Sequence, residues 1–429
     1  MFNFEPKSNN KIFSNGIYFI FTILIAAFIL LTYLHDTFKM AIFSEFEDFC
    51  NYYLYSKALR LNYNVYTLDE ATKEQIMRDF GIPPIKSDAL ICTLHSPAYS
   101  TLFLVFTFFE YRIASLLWFI LNHILLITSV LIILRLIYEK IIGIDGKFII
   151  ISSIFLVFVF QPLIENMDIG QVNPFVFFFF VLCLYFLNKK RYAISGAMLS
   201  LGILIKPHFI LLLPFLLWKK CYRVFFSALI SFIILEILGI LINGSGVYAD
   251  YLTQTSRILY PSIGNMSMRN LSLGTLINRV ANLAVHPSFL NVTICLALFA
   301  LLLLFAYLFH VTKSEFKTLD LSFILEFSLA IIFVLIAAPI VHEHYYIMLY
   351  LPILFLWAKL SRDGKKIPLF LFFLSFLLIG LKYSLISFPM FRTGPLAIFS
   401  GLKLYGVLVL FFLTAYVIRK DSRKSANTE

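Results

Sequence analysis

Apolar runs long enough to cross a bilayer recur along the whole chain, and short polar stretches separate them. A helix rises about 1.5 Å per residue and a hydrocarbon core is about 30 Å thick, so one span takes about 20 residues. On that measure twelve spans are predicted, near 16–35, 112–137, 147–163, 172–187, 192–206, 208–218, 222–243, 287–310, 320–340, 345–360, 366–386 and 397–418. The fifth and sixth are short and divided by Lys206-Pro207-His208, so tilted or broken helices are expected there. Residues 97–109 (PAYSTLFLVFTFF) are apolar but would reach only about 20 Å, and are expected as a helix lying along the membrane face. The runs are continuous, unlike the alternating strands of a membrane barrel. Their recurrence excludes a leader peptide followed by a soluble domain. No long repeat or linker interrupts them, so residues 1–429 form a single integral membrane domain: an all-α polytopic bundle of about twelve transmembrane helices.

Composition agrees. Hydrophobic residues make up 60% of the chain and charged residues 14%, against about 25% charged in soluble domains. A soluble enzyme, a nucleic-acid binder and a disordered chain are all excluded. The net charge of +11 then takes the membrane reading, in which Lys and Arg collect on cytoplasmic loops. Clusters fall at Lys189–Arg191, Lys219–Arg223, Lys359–Lys366 and Arg419–Lys424, with Lys313 and Lys317 in a further loop. With twelve spans these share one side with both termini, so tails 1–15 and 419–429 are expected in the cytoplasm. Loops near 36–96, 164–171, 244–286, 341–344 and 387–396 then face outward, the first extended to 111 by its juxtamembrane helix. The five cysteines lack metal spacing. Cys50 and Cys92 share the first loop, where a disulfide is compatible with their placement.

The first outer loop carries most of the acidic groups: Glu45, Glu47, Asp48, Asp69, Glu70, Glu74, Asp79 and Asp88. Residues 45–61 have helical periodicity, with Asp48, Tyr52 and Tyr55 on one face. A carboxylate beside phenols suits a sugar, accepting a hydroxyl proton while rings stack on the CH face; the same pattern also fits an amphipathic surface helix. Lys206 ends an apolar run on the same side, where a cation is costly unless it is paired, functional or snorkelling to the headgroups. Gln171 and Asn173 sit between two spans, after Glu165 and Asp168. Asn265, Ser267, Arg257, Arg269 and Arg279 punctuate the 244–286 loop, and His342 and His344 precede a late span. A His-x-His pair is a weak zinc signal without a third ligand, and no metal or cofactor is expected. Glu236 and Glu326 fall inside spans and are expected to face the bundle and to be paired. An acid, cations, amides and a histidine gathered on one face suit an anionic lipid-linked substrate better than a transported solute, whose sites lie at the midplane of repeated, broken helices.

These residues resemble glycosyltransferase family 87, membrane mannosyltransferases of the GT-C superfamily. The resemblance runs over about residues 16–360: Asp48-Phe49 followed by Tyr52-Tyr53, Gly170–Asn173 opening a span, Ser195-Gly196, Gly202 and Lys206-Pro207 along a small-residue helix, Asn265-Met266-Ser267 with Arg279 downstream, and Ala338-Pro339 before His344. The chain departs at Met266, at Ser96-Pro97 and at His342, where the family has Gln, tandem Pro and Trp. What the resemblance implies is a GT-C-like bundle in a bacterial cytoplasmic membrane and an inverting single displacement. A hexose, mannose first among candidates, moves from a polyprenyl-phosphate donor to a lipid or glycan acceptor on the outer face.

The shared helical face, the polar positions of the outer loops and the resemblance together assign Asp48 as base, with Tyr52, Tyr55, Gln171, Asn173, Lys206, Asn265, Ser267, Arg269, Arg279 and His344 around the substrates. One carboxylate suffices for such a transfer, because a lipid phosphate leaves readily once its charge is neutralised. Hydrolases, in contrast, need two. The competing readings are a lipid-linked glycan flippase and a surface-polysaccharide polymerase or ligase.

Overall fold

The computed structural model describes residues 46–83, 95–142, 146–262, 269–281, 287–311, 315–382 and 388–426, with a few positions between 31 and 38. Asn265, Ser267, Cys92, Lys313 and nearly all of the predicted first span lie outside them. Among the described residues every regular element is helical.

Helix α1 (Glu47–Arg60) and α2 (Glu70–Asp79) belong to the first loop. The short helix α3 (Pro97–Thr101) and a 3-10 turn (Leu104–Phe108) then lead into α4 (Tyr111–Ile137). The apolar 97–109 segment is therefore helical, in two short pieces packed against α1: Ser56 Oγ donates to the Ser100 carbonyl (2.8 Å), and Tyr53 Oη to that of Phe109 (2.8 Å). Helices α5 (Lys147–Val159) and α6 (Gln161–Ile169) follow, then α7 (Asn173–Asn188), α8 (Tyr192–Ile205), α9 (Leu212–Trp218) and α10 (Tyr222–Asn243). The 244–286 segment is largely helical, as α11 (Ser245–Ser262) and α12 (Leu273–Ala281). The chain finishes with α13 (Pro287–Val311), α14 (Leu321–Ala337), α15 (Tyr350–Asp363), α16 (Lys366–Ile379) and α17 (Leu402–Ala426).

Helix ends follow local chemistry. Asp69 and Asp320 cap α2 and α14 by accepting from the backbone N–H of Thr72 and Phe323, each at 2.8 Å. Pro97, Pro162 and Pro174 sit in the first turn of their helices, where the missing N–H is harmless.

The described helices support a membrane bundle without fixing the expected count of twelve spans. Three described helices are long and apolar enough to cross a bilayer: Tyr111–Ile141, Tyr222–Asn243 and Pro395–Ser422. The pair Phe148–Val159 and Gln161–Ile169 is long and apolar enough only when taken together, and is bent by 49°; residues 164–169 are therefore helix and not loop. Five further apolar helices have only 10–17 residues. The breaks have visible causes. Pro162 falls at the α5–α6 bend, and Pro207 opens a 3-10 turn (Pro207–Leu211) between α8 and α9, where a broken helix was expected.

Apolar side chains face outward in helical register, as a lipid-facing surface should. On α4 the exposed set is Ile113, Leu116, Leu117, Ile120, Ile124, Ile127 and Leu131, and α10 also turns apolar side chains outward. Helices pack through small residues. At Gly196 on α8, an added Cβ would lie 2.6 Å from the backbone N of Ala228 on α10.

Polar contacts sort to two ends of the bundle. At one end Lys220 pairs with Glu315, Arg223 stacks on Tyr192 at 5.5 Å, Asn188 donates to Glu139 (3.2 Å), Arg362 to the Ile141 carbonyl, and Lys420 to Asp363 (2.7 Å). This end holds the basic clusters. Also there, Lys219 is buried against Glu326 at 2.5 Å, which supplies the partner that Glu326 needs inside an apolar helix. Glu236 accepts from Tyr248 Oη at 2.7 Å.

The buried pair makes a direct prediction. Lys219→Met leaves an uncompensated carboxylate and should cost about 3–5 kcal/mol, whereas Lys219→Met with Glu326→Leu should recover most of it. Thermal melts of the purified variants in detergent would check this; a double variant as unstable as the single would contradict it.

Candidate functional site

At the opposite end, the first turn of α1 is pressed against the turn between α6 and α7. Gly170 ends α6 in the left-handed conformation (φ +69°), and an added Cβ would meet Phe46 at 2.8 Å and Phe49 at 3.2 Å. Its carbonyl accepts from Trp118 Nε1 at 2.8 Å, and Trp118 stacks on Phe49 (5.1 Å) and Phe175 (4.8 Å). Phe46 and Phe49 thus anchor α1 on this turn, and between them in sequence Asp48 is only 5% exposed.

The next residue, Gln171, hydrogen-bonds the Asp48 carboxylate through its side-chain amide. Burial pushes that carboxyl up, from an ordinary 3.8 to about 6, against the Gln171 hydrogen bond and the attraction of Lys206 and Arg269. Asp48 is therefore ionised near neutral pH yet basic enough to take a proton.

Lys206 follows α8, buried. Among the described residues it makes no salt bridge; its Nζ sits over the Tyr345 ring, 4.0 Å from the centroid. Three imidazoles surround the same ring: His208 stacked at 5.5 Å, His342 at 5.9 Å and His344 edge-on at 5.0 Å. His344 is buried, and neither of its ring nitrogens has a hydrogen-bond partner among the described residues. Burial, then the neighbouring His342, Lys206 and Arg269, hold its pKa well below the ordinary imidazole value. Its protein-facing state is neutral.

The turn carrying these histidines is fixed from three sides. Asn173 Nδ2 donates to the His344 carbonyl (3.1 Å) and to Asn166 Oδ1 (2.9 Å). Lys403 pairs with Glu343 at 2.6 Å. Asn270 Nδ2 donates to the Pro339 carbonyl (3.1 Å), its Oδ1 accepts from Val341 N (3.0 Å), and Leu271 N donates to the Val341 carbonyl (2.7 Å). That staple also sets Arg269, whose guanidinium reaches Glu47 at 3.6 Å beside Asp48.

Asp48, Gln171, Lys206, Arg269 and His344 are thus brought together, and Asn173 supports them. Arg279 is not in this group: it is buried in α12, donates Nη2 to the Asn270 carbonyl at 3.1 Å, and braces the staple from behind. Tyr52 and Tyr55 are buried. The Tyr52 ring lies among Phe103 (5.0 Å), Tyr99 (5.8 Å) and Trp118 (6.1 Å), inside the protein and not on an open face. Cys50 is a free thiol within 2.8 Å of Tyr111 Oη. Among the described residues no three His, Cys, Asp or Glu side chains converge on a metal position.

Sequence patterns missed Tyr345 and Asn270. Tyr345 directly follows His344 and was findable by adjacency; Asn270 has no periodic or motif signature.

Compared with known proteins, the chain matches the family model described as Glycosyltransferase family 87 over residues 94–339, more than half its length. The matched region includes Gln171, Asn173, Lys206, Arg269 and Arg279, while Asp48 and His344 lie outside it. No curated protein and no solved structure matches the chain.

Asp48 has a stability signature. The fold favours its protonated form, so the contribution of Asp48 to folding stability is greatest below about pH 4, falls as pH rises to about 6, and is level above. Asp48→Asn removes this loss, worth about 3 kcal/mol at about 1.4 kcal/mol per pH unit. The variant should melt higher than the native protein at pH 7.5, with the difference shrinking towards pH 4. Parallel melting curves at all pH values would show that Asp48 carries no such burden.

Proposed function

The chain belongs to glycosyltransferase family 87 and is a membrane glycosyltransferase, and on that premise we propose that it moves a hexose, mannose first, from a polyprenyl-phosphate donor to a lipid or glycan acceptor, with Asp48 as general base. The observation that carries this reading is the union of a buried, hydrogen-bonded Asp48 with a Lys206 that makes no salt bridge and a His344 whose ring nitrogens have no hydrogen-bond partner among the described residues.

The chemistry follows from the groups present. An acceptor hydroxyl attacks the anomeric carbon, Asp48 takes its proton, and the bond from that carbon to the phosphate oxygen breaks with inversion. The lipid phosphate departs with the bonding electrons. Lys206 and a neutral His344, acting as hydrogen-bond donor, offset the charge that develops on it. A base with a pKa near 6 suits proton removal near neutral pH. The Gln171 amide holds the carboxylate in one orientation, so the proton acceptor is in place before the substrate arrives.

The test is single-turnover transfer from a synthetic polyprenyl-phosphate mannose into extracted acceptor lipids. The native rate should climb with pH through about 6 and then level, as Asp48 loses its proton. Asp48→Asn should slow transfer about 10²–10⁴-fold and abolish that limb, while Lys206→Ala should weaken donor use. A folded Asp48→Asn protein with undiminished transfer would remove Asp48 from the mechanism.

We place this site on the extracytoplasmic face. The support is its separation from the end that gathers the basic clusters, since Lys and Arg are retained in the cytoplasm. A cysteine at position 73, in α2 of the first loop, should then react with an impermeant reagent from outside, and one at position 421 only from within. Labelling of position 73 from the cytoplasmic side would reverse the orientation.

A further inference from the structure

On the flank of Lys206 formed by α3 and the Pro207 turn lie two histidines that the mechanism above does not use. His95 directly precedes the α3 region and is 7% exposed. Its backbone is pinned by Tyr66 Oη, which donates to the His95 carbonyl at 2.7 Å, and its ring is stacked on Tyr99 with centroids 4.1 Å apart. His208 is fixed as firmly, stacked in parallel on Tyr345, the ring that also carries Lys206. Yet His95 Nδ1 and His208 Nε2 are both buried without a hydrogen-bond partner among the described residues.

Leaving a buried nitrogen unsatisfied is costly, and native folds rarely keep two without a use. His95 feels His208 and Lys206 electrostatically, His208 feels Lys206, and among the described residues no carboxylate acts on either imidazole. Two ring nitrogens beside an ammonium that makes no salt bridge among the described residues form an incomplete anion-binding set. The stacking fixes the rings, so the nitrogens are aimed before any ligand arrives.

We infer that His95 and His208 are phosphate-binding residues, giving hydrogen bonds to the non-bridging phosphate oxygens of the lipid-linked donor beside Lys206. This assignment rests on the donor class proposed above and adds two residues to its recognition. Their neutral N–H groups grip the phosphate without trapping it by charge. Their rings, stacked on tyrosines, set its orientation, which a lone flexible ammonium cannot do.

The test is equilibrium binding to the full chain in detergent, with citronellyl phosphate, inorganic phosphate and uncharged citronellol as probes. The native protein should bind citronellyl phosphate more tightly than either of the others. His95→Phe with His208→Phe keeps both ring stacks and should weaken citronellyl phosphate at least tenfold while leaving citronellol unchanged. His95→Gln with His208→Gln, which restores an N–H donor at each position, should regain part of the loss. Retained citronellol binding and an unshifted melting temperature report that the variants are folded; should the double variants not fold, each single Phe variant should weaken the phosphate probe at least threefold. Undiminished citronellyl phosphate binding in the folded variants overturns the histidine assignment alone. A native protein that prefers citronellyl phosphate no more than citronellol overturns the lipid-phosphate donor as well. Inorganic phosphate binding as tightly as citronellyl phosphate would make the ligand free phosphate and overturn the lipid-linked source.

Discussion

The hydrogen bond between Gln171 and Asp48 is the contact on which the candidate site depends. A carboxylate buried as deeply as Asp48 is pushed towards its neutral form by desolvation. The Gln171 amide and the nearby cations keep its pKa close to 6. That amide is in position only because Gly170 turns left-handed, where a side chain would collide with α1. The same turn begins the amide chain from Gln171 through Asn166 and Asn173 to the His344 carbonyl. Acid and histidine, 296 positions apart along the chain (344 − 48), are thus registered through one four-residue turn.

What the sequence made legible, and what it did not, divides along physical lines. Helical class and membrane character followed from apolar runs, because a bilayer forces backbone groups to pair internally. The length of each helix did not follow. Pro162 and Pro207 break runs that hydropathy treats as continuous, and the 244–286 stretch folds into helices that are too polar to score as spans. Asp48 and Lys206 were visible as charges where charge is costly. Arg279 looked equivalent by that measure, but cost alone does not distinguish a group facing a substrate from one bracing a backbone. Asn270 was invisible, since its value lies in joining two segments about seventy residues apart, at Pro339 and Val341. The partner of Glu326, likewise, is a lysine that the sequence assigned to a solvent-facing cluster.

The two ends of the bundle use charge differently. At the end with the basic clusters, cations meet carboxylates: Lys219 with Glu326, Lys220 with Glu315, Lys420 with Asp363. At the end with Asp48, Lys403–Glu343 and Arg269–Glu47 brace the flanks, while Lys206 and His208 rest on an aromatic ring and several histidine nitrogens keep no partner among the described residues. The first arrangement holds helices together. The second costs stability, as expected where a fold keeps groups ready for a ligand.

The aromatic seat of Lys206 shows what that readiness entails. A lysine resting against a carboxylate can meet an incoming anion only by abandoning the one it has, so every binding event becomes an exchange between rivals. The Tyr345 ring attracts the ammonium through its quadrupole but carries no net charge to cancel it. The lysine can swing towards a guest and back again without first giving up a salt bridge. Occupancy of the site is then a matter of addition and not of displacement.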